Sequence, residues 1–68
     1  MKPISGPEFA KLLRKRGWVQ TRVEGSHHIF EKAGEVSPVS VPFHGSKALR
    51  VGTQLALMRQ TGISRDEL

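Results

Sequence analysis

Val19-Gln20-Thr21-Arg22-Val23-Glu24-Gly25-Ser26-His27-His28-Ile29-Phe30 is the stretch of sequence that decides the fold. Polar residues alternate in its first half with Val19, Thr21 and Val23, and this pattern predicts a strand whose β-branched side chains dominate one face. We expect this strand to run from about Trp18 to Glu24. A strand of this kind needs a neighbour, and the residues that follow supply one.

Two further strands are expected after the first. Glu24-Gly25-Ser26 predicts a tight turn, so that His27 to Lys32 forms the second strand of a hairpin. A third strand is expected from about Val36 to Val41. Proline cannot donate a hydrogen bond to a strand ladder, so Pro38 places the start of this strand at a sheet edge and Pro42 ends it. Within it, the period of two places Val39 and Val41 on one face.

A helix is expected on each side of the strands. The first should run from about Gly6 to Arg16, because Ser5-Gly6-Pro7-Glu8 is a capping box and Gly17 favours a left-handed stop. Ile4 and Phe9 are spaced as a hydrophobic staple around this start. The second helix is expected from about Arg50 to Gln60. Its expected inward stripe consists of Val51, Leu55, Ala56 and Met58.

The end of the sequence predicts one more short element. Gly62 should end the second helix. Ser64-Arg65-Asp66-Glu67 is a second capping box, flanked by Ile63 and Leu68 as staple candidates, and it predicts a short helical turn. The fold class is therefore α+β, with the order α-β-β-β-α, a three-stranded antiparallel sheet and two helices on one face. Residues 1–68 are expected to form one domain.

Composition restricts the classes of function. The 68 residues carry 11 Lys and Arg against 6 Asp and Glu, a net charge of +5. This excess favours a polyanionic partner, either RNA, DNA or an acidic protein, over a merely solvated basic surface. There is no cysteine, no apolar run long enough to cross a membrane and no signal-peptide pattern at the start of the sequence, so we expect a cytoplasmic protein.

The adjacent histidines, His27 and His28, invite a metal-site interpretation that the strand argues against. Neighbouring side chains on a strand leave opposite faces, and no cysteine is present to complete a ligand set. A histidine beside a glycine turn suits a different chemistry, because it titrates near neutral pH and can act as a general acid or base on RNA. Ordinary solvent exposure or a hydrogen bond within the turn remains the alternative.

Several short motifs together resemble the HicA toxins, the RNA-cleaving halves of HicA–HicB toxin–antitoxin pairs. Each motif is weak alone, but their order and separations are specific, and they extend over nearly the whole chain. They are Gly17-Trp18 after a leucine-rich helix, Arg22, Gly25-Ser26-His27 with Phe30, Val41-Pro42-Phe43-His44, and Gly52-Thr53 at the start of the second helix.

The resemblance implies a fold like that of double-stranded-RNA-binding domains, in agreement with the order of elements above. It implies that His27 is the catalytic residue of an endoribonuclease that cleaves messenger RNA without a metal or cofactor. It also implies a HicB-type antitoxin as partner. Gly25 and Ser26 match the same motif, where they would set the turn geometry or contact a phosphate. His28 lies at a position that we regard as variable and is given no catalytic role.

Other basic and aromatic residues have weaker assignments. Lys47 and Arg50 flank the start of the second helix, where free amides favour an anion, so they are candidate RNA contacts or simply solvated charges. Gly52 would let a phosphate approach the main chain closely. His44 is a candidate second acid or base, although a loop histidine after proline is more often structural. Lys11, Arg14 and Lys15 are expected on a solvated helix face, whereas Trp18 and Phe30 are expected in the core.

Three hypotheses therefore follow from the sequence. The first is a metal-independent endoribonuclease toxin with His27 as its acid or base. The second is a non-catalytic RNA-binding module in which His27 only contacts a 2′-hydroxyl. The third is a protein-interaction domain whose basic charge is incidental. The period-two pattern does not decide which face of the sheet carries His27.

Overall fold

The computed structural model describes residues 1–68 and has the expected α+β architecture, with a three-stranded antiparallel sheet in the order β1-β2-β3. None of its helices is both long enough and apolar enough to cross a membrane. The elements along the chain are α1 (Gly6–Lys15), β1 (Val19–Glu24), β2 (His27–Glu31), β3 (Val39–Pro42), α2 (Val51–Thr61) and a 3-10 turn (Arg65–Glu67).

The first helix begins at the capping box that the sequence predicts. The Glu8 amide donates to Ser5 Oγ at 3.2 Å, and the Ser5 amide donates to Glu8 Oε1 at 2.9 Å. These hydrogen bonds, led by that from the Ser5 amide, lower the pKa of the Glu8 carboxyl below its usual value. Gly17 adopts a φ of 91°, the left-handed conformation that ends the helix. Both ends of α1 are thus set by local sequence.

The core lies between one face of the sheet and both helices. Phe30, Val39 and Val41 are fully buried on this face, which we call the helix face. The α1 residues Phe9 and Leu13 pack against them, and Leu57 and Met58 do so from α2. Trp18 also belongs to this cluster, so the core positions expected for Trp18 and Phe30 are confirmed. The opposite face of the sheet carries no helix, and we call it the open face.

The alternation expected along β1 is interrupted. The pairing of β1 with β2 shifts between Gln20 and Arg22, which marks a β-bulge. Because of this shift, Val19 pairs with Glu31, whereas Val23 pairs with His28 and faces the helices. The β-branched residues therefore do not share one face as the sequence predicts. All six residues of β1 remain exposed, since β1 is an edge strand.

The third strand is shorter than expected and begins at Val39 rather than Val36. Val36 is fully exposed. Pro38 precedes the strand and has no amide hydrogen to donate, so the ladder starts after it. The expectation that Val39 and Val41 share one face is confirmed, because both are fully buried. Pro42 is the last residue of the strand, as the sequence predicts.

The expected inward stripe of α2 is wrong for three of its four residues. Val51, Leu55 and Ala56 are exposed, and only Met58 is buried. The buried side of α2 instead contains Gln54, whose side chain is 1% exposed, next to Leu57. Gln54 turns inward because its amide binds the main chain near the start of the sequence. It donates to the Lys2 carbonyl at 2.7 Å and accepts from the Ile4 amide at 3.3 Å.

Residues near the start of the chain are fixed to residues far along it. The Leu49 amide donates to the Ile4 carbonyl at 2.8 Å, and Ser5 and Ala48 form an isolated β-bridge. Gly6, at the start of α1, packs so closely on Pro42 that a Cβ there would collide with the Pro42 carbonyl oxygen. These contacts join the beginning of α1 to both the end of β3 and the segment before α2.

The C-terminal turn is fixed to α1 by a salt bridge. Arg16 donates two hydrogen bonds to the Glu67 carboxylate, at 2.7 and 2.5 Å, and the Ser64 amide donates to it at 2.8 Å. Ile63 is buried and Leu68 packs against the core, as the predicted staple requires. The hydrogen bond from Arg16 is the main cause of a lowered pKa at Glu67.

We expect this salt bridge to add stability only above acidic pH. Because folding lowers the pKa of Glu67, its contribution is present above the unfolded value near 4.5 and is lost as pH falls through the lower folded value. Glu67→Gln should therefore lower the melting temperature at pH 7 by a small, salt-sensitive amount, and the difference from wild type should shrink toward pH 3. Glu35→Gln is the matched control. Equal differences at both pH values would contradict the assignment.

Candidate functional site

The strand register assigns His27 to the open face of the sheet. His28 pairs with Val41 and Phe30 pairs with Val39, so these residues point toward the helices. His27 directly precedes His28 along the strand and pairs with Pro42 on one side and Glu24 on the other. Since alternate residues on a strand leave opposite faces, the His27 side chain stands on the open face, where it is exposed.

The immediate neighbours of His27 are polar. Ser40 Oγ lies 3.4 Å from His27 Nδ1. No protein group bonds the other ring nitrogen, Nε2, which leaves it available to a ligand. Across the hairpin, Glu24 accepts a hydrogen bond from Arg22 Nε at 2.5 Å, and this ion pair lies on the same face as His27. Ser40 thus contacts Nδ1 of the imidazole, whereas Nε2 has no partner in the protein.

The turn before His27 is held by main-chain geometry. Gly25 has a φ of 60°, a conformation that residues with a side chain rarely adopt, and a Cβ there would meet nothing within 4 Å. The Ser26 carbonyl accepts a hydrogen bond of 2.7 Å from the Phe43 amide. Gly25 and Ser26 therefore set the position of His27 relative to the segment after β3. No protein group bonds the Ser26 hydroxyl.

His28 is built into the fold on the other side of the strand. Its ring stacks on Phe43, with centroids 3.5 Å apart and an interplanar angle of 12°. Its Nδ1 lies 3.0 Å from Gln20 Oε1. The two adjacent histidines thus lie on opposite faces, as strand geometry predicts. No three histidine, aspartate or glutamate side chains anywhere in the chain are grouped so that they could hold a metal ion.

A cleft of about 530 Å³ lies at the start of α2. Its lining includes two cations, Lys47 and Arg50, and the exposed imidazole of His44. Arg50 is the N-cap residue of α2, and its side chain makes no capping hydrogen bond. The first turn of the helix has no acidic residue. Two cations therefore line a cleft beside a helix start whose first amides have no partner within the helix, an arrangement that favours an anion.

Pro42 connects the cleft to His27. It is the strand partner of His27 on the open face, and it also lines the cleft. The structure therefore brings Lys47 and Arg50, which are 20 or more residues from His27 in sequence, to the end of the sheet where β2 begins and β3 ends. Lys11 and Lys15 do not belong to this cleft, since they line a separate, smaller depression with Lys2.

The family model of the HicA toxin of bacterial toxin–antitoxin systems matches residues 6–63. This chain belongs to the HicA toxin family. No curated protein matches it. The match confirms the resemblance drawn from the short motifs of the sequence. It includes the hairpin with His27, the end of β3 and the cleft at the start of α2, so every candidate site residue of this HicA chain lies inside the matched region.

Ser40 and Thr53 belong to this HicA site without having been predicted from the sequence. Ser40 contacts His27, and Thr53 lines the cleft. A signal for Ser40 is present in the sequence, because a polar residue between Val39 and Val41 must lie on the opposite face from them. For Thr53 the sequence offers only its place in the motif Gly52-Thr53, which does not show that its side chain lines the cleft, since the packing of the helix decides that.

Proposed function

We propose that this HicA family toxin is a metal-independent endoribonuclease that cleaves messenger RNA, with His27 as a general acid or base. One observation carries the proposal. An exposed histidine, held by a hairpin with one ring nitrogen free, stands at the start of the central strand β2, beside the end of β3 that borders a cationic cleft. Such a cleft can hold a phosphodiester next to a group that moves protons.

The chemistry needs no group beyond those of the protein and the RNA. A base removes the proton of a 2′-hydroxyl, and the resulting oxygen attacks the adjacent phosphorus and displaces the 5′-oxygen. His27 is suited to this proton transfer, because an imidazole can act as a general acid or base, the residue is exposed and its Nε2 bonds no protein group. The reaction leaves a 2′,3′-cyclic phosphate on one fragment and a 5′-hydroxyl on the other.

RNA binding is assigned to the cleft and the hairpin turn. Lys47 and Arg50 neutralise backbone phosphates, while the amides at the start of α2 donate to phosphate oxygens. Gly25 and Ser26 contribute the turn geometry, and the unbonded Ser26 hydroxyl is available to a further phosphate. These contacts read charge and shape, so they position the RNA without selecting its sequence.

An acidic antitoxin of the HicB type is the proposed protein partner. A toxin of a toxin–antitoxin pair requires a neutralising partner, and the net charge of +5 favours a negatively charged one. A partner that covers the open face of the sheet would block His27 and cover Val19, an exposed apolar side chain on that face.

The proposal is tested with purified protein and labelled RNA in the presence of a chelator. We expect endonucleolytic fragments that end in 2′,3′-cyclic phosphate. His27→Ala protein, purified in parallel, controls for contaminating nucleases. Intact RNA after incubation with wild-type protein, or equal cleavage by both proteins, contradicts the proposal.

The alternative function is an RNA-binding module without catalysis. The observation that favours it is the cleft of Lys47 and Arg50, which would hold a phosphate regardless of any reaction. This alternative predicts RNA binding that weakens steeply with salt, no cleavage, and expression that is harmless to growth. Growth arrest on expression, accompanied by RNA cleavage, decides against it.

We expect the double variant Lys47→Ala, Arg50→Ala to bind RNA about 10- to 100-fold more weakly, because charge-assisted hydrogen bonds to two phosphates are lost. The slope of log K against log salt concentration should decrease by about 1.4, or about 0.7 per single-strand phosphate. Binding is measured in a His27→Ala background, so that the RNA stays intact. The double variant Lys11→Ala, Lys15→Ala removes the same charge from the separate depression and should change the slope far less. Equal effects of the two double variants would show that only net charge matters.

A further inference from the structure

The proposed cleavage requires two proton transfers, and His27 can account for only one of them in a single step. One group removes the 2′-hydroxyl proton, and another gives a proton to the departing 5′-oxygen on the far side of the phosphorus. We propose that His44 is the second group, the general acid that protonates the 5′-oxygen. This inference rests on the proposed ribonuclease function and adds a catalytic residue to it.

The strand register places His44 on the face of His27. Pairing between β2 and β3 does not stop at His27 and Pro42, because the Phe43 amide still donates to the Ser26 carbonyl at 2.7 Å. His44 follows one residue later, so the alternation of the strand returns it to the open face. Its presence in the cleft beside Pro42 agrees with this placement.

The separation of the two histidines suits a phosphodiester between them. Residues in a diagonal relationship on neighbouring antiparallel strands have Cβ atoms about 7–8 Å apart. His44 lies two residues beyond Pro42, the strand partner of His27, so a chain that continues the path of β3 sets the two histidines in this relationship. In the reaction, one imidazole would form a hydrogen bond of about 2.8 Å to the attacking oxygen, and the other would form one of the same length to the leaving oxygen. The distance between the two imidazoles across the phosphorus is then comparable. One imidazole can therefore contact the attacking oxygen while the other contacts the leaving oxygen.

The surroundings of His44 hold the phosphate where an acid is needed. Lys47 and Arg50 line the same cleft and would bind the non-bridging oxygens of the phosphate that reacts. The main chain at His44 is held in a tight turn, because the Lys47 amide donates to the His44 carbonyl at 3.1 Å and Gly45 has a φ of 58°. The imidazole is thus attached to a fixed backbone rather than to a long free loop.

The His44 side chain forms no hydrogen bond that would give it a structural role. The other two histidines bond side chains of the fold, His27 through Ser40 and His28 through Gln20 and the Phe43 ring. The His44 ring is exposed and forms no hydrogen bond with the protein. The sequence favours a structural role for a loop histidine after proline, and the structure provides no partner for such a role.

With His27 and His44, every proton that moves in the reaction has a donor and an acceptor. The 2′-oxygen gives its proton to His27 and forms the new bond to phosphorus. The bond from phosphorus to the 5′-oxygen breaks, its electron pair stays on that oxygen, and the proton of the His44 imidazolium is transferred to it. Solvent then returns a proton to His44 and takes one from His27.

An RNA substrate whose leaving group needs no general acid tests the role of His44. In RNA with sulfur in place of the bridging 5′-oxygen, the leaving group is a thiolate, which departs without protonation because thiols have a pKa near 8.5. We expect His44→Ala to slow cleavage of ordinary RNA by about 10²- to 10⁴-fold and to cleave the sulfur-bridged RNA at nearly the wild-type rate. His27→Ala should remain slow on both substrates.

Controls separate this inference from the proposed function. Ser46→Ala, in the same turn, should cleave both substrates like wild type, and unchanged melting temperatures verify that the variants fold. An equal loss on both substrates for His44→Ala, or no loss on either, overturns the acid role while the ribonuclease function stands. A wild-type protein that cleaves neither substrate overturns both.

Discussion

Replacement of His27 by alanine is expected to reduce RNA cleavage by about 10²- to 10⁴-fold, the usual contribution of a general acid or base. The side chain is exposed on the open face, and its one polar contact within the protein is the 3.4 Å approach to Ser40. Its removal should therefore leave the fold intact and act on the chemistry alone. Expression of the wild-type toxin should arrest growth, and expression of His27→Ala should not.

A second variant, His27→Gln, distinguishes proton transfer by His27 from orientation of the substrate. Glutamine can still form hydrogen bonds to RNA but cannot exchange a proton near neutral pH. If His27 moves a proton, the glutamine variant should be as inactive as the alanine variant and should bind RNA with nearly wild-type affinity. Substantial cleavage by His27→Gln would show that the histidine only orients the substrate. A melting temperature within a few degrees of wild type is required of both variants.

Gly6→Ala is expected to have the largest effect on stability of any single methyl group added to this protein. The new Cβ would collide with the carbonyl oxygen of Pro42, an atom of the main chain that cannot rotate away. Overpacking of this kind costs up to about 3 kcal/mol, equivalent to a decrease in melting temperature of roughly 10–20 °C in a domain of this length. Thermal unfolding followed by circular dichroism measures the change.

Gly52→Ala is the matched control for Gly6→Ala. Gly52 also lies in the first turn of a helix, but a Cβ there would meet nothing within 4 Å. Alanine favours helix over glycine by up to about 1 kcal/mol, so this variant should be as stable as wild type or more stable. Equal destabilisation by both substitutions would mean that the contact between Gly6 and Pro42 is not the cause.

Features with a local physical cause could be predicted from the sequence. The capping box of Ser5 and Glu8, the left-handed stop at Gly17 and the shared face of Val39 and Val41 each depend on a few neighbouring residues. The order of elements follows from them, and it is confirmed. His27 was identifiable as a candidate because its motif and its turn are also local.

The errors have a long-range cause. Gln54 is not among the residues expected on the inward side of α2, yet it is buried because its amide satisfies main-chain groups about fifty residues away. Its inward position leaves Val51 and Leu55 in solvent. The bulge at Thr21 likewise reverses the face of Val19 relative to Val23, and no composition signal marks it. The proximity of His27 to the cleft depends on the register of β2 with β3, which hydrophobic periodicity alone does not determine.

The contacts of residues 2–6 have a consequence for how the chain acquires its structure. Lys2, Ile4 and Ser5 find their partners at Ala48, Leu49 and Gln54, so the segment before α1 stays free until the chain closes a loop of more than forty residues. Closure of such a loop costs entropy before any contact is gained, and it places this step late in folding. During synthesis, α1 can form locally and pack on the sheet once β3 has emerged, but the segment before α1 cannot be anchored until residues 48–54 have left the ribosome. The toxin should therefore acquire its cleft, and with it any capacity to harm the cell that makes it, only after residues 48–54 have emerged.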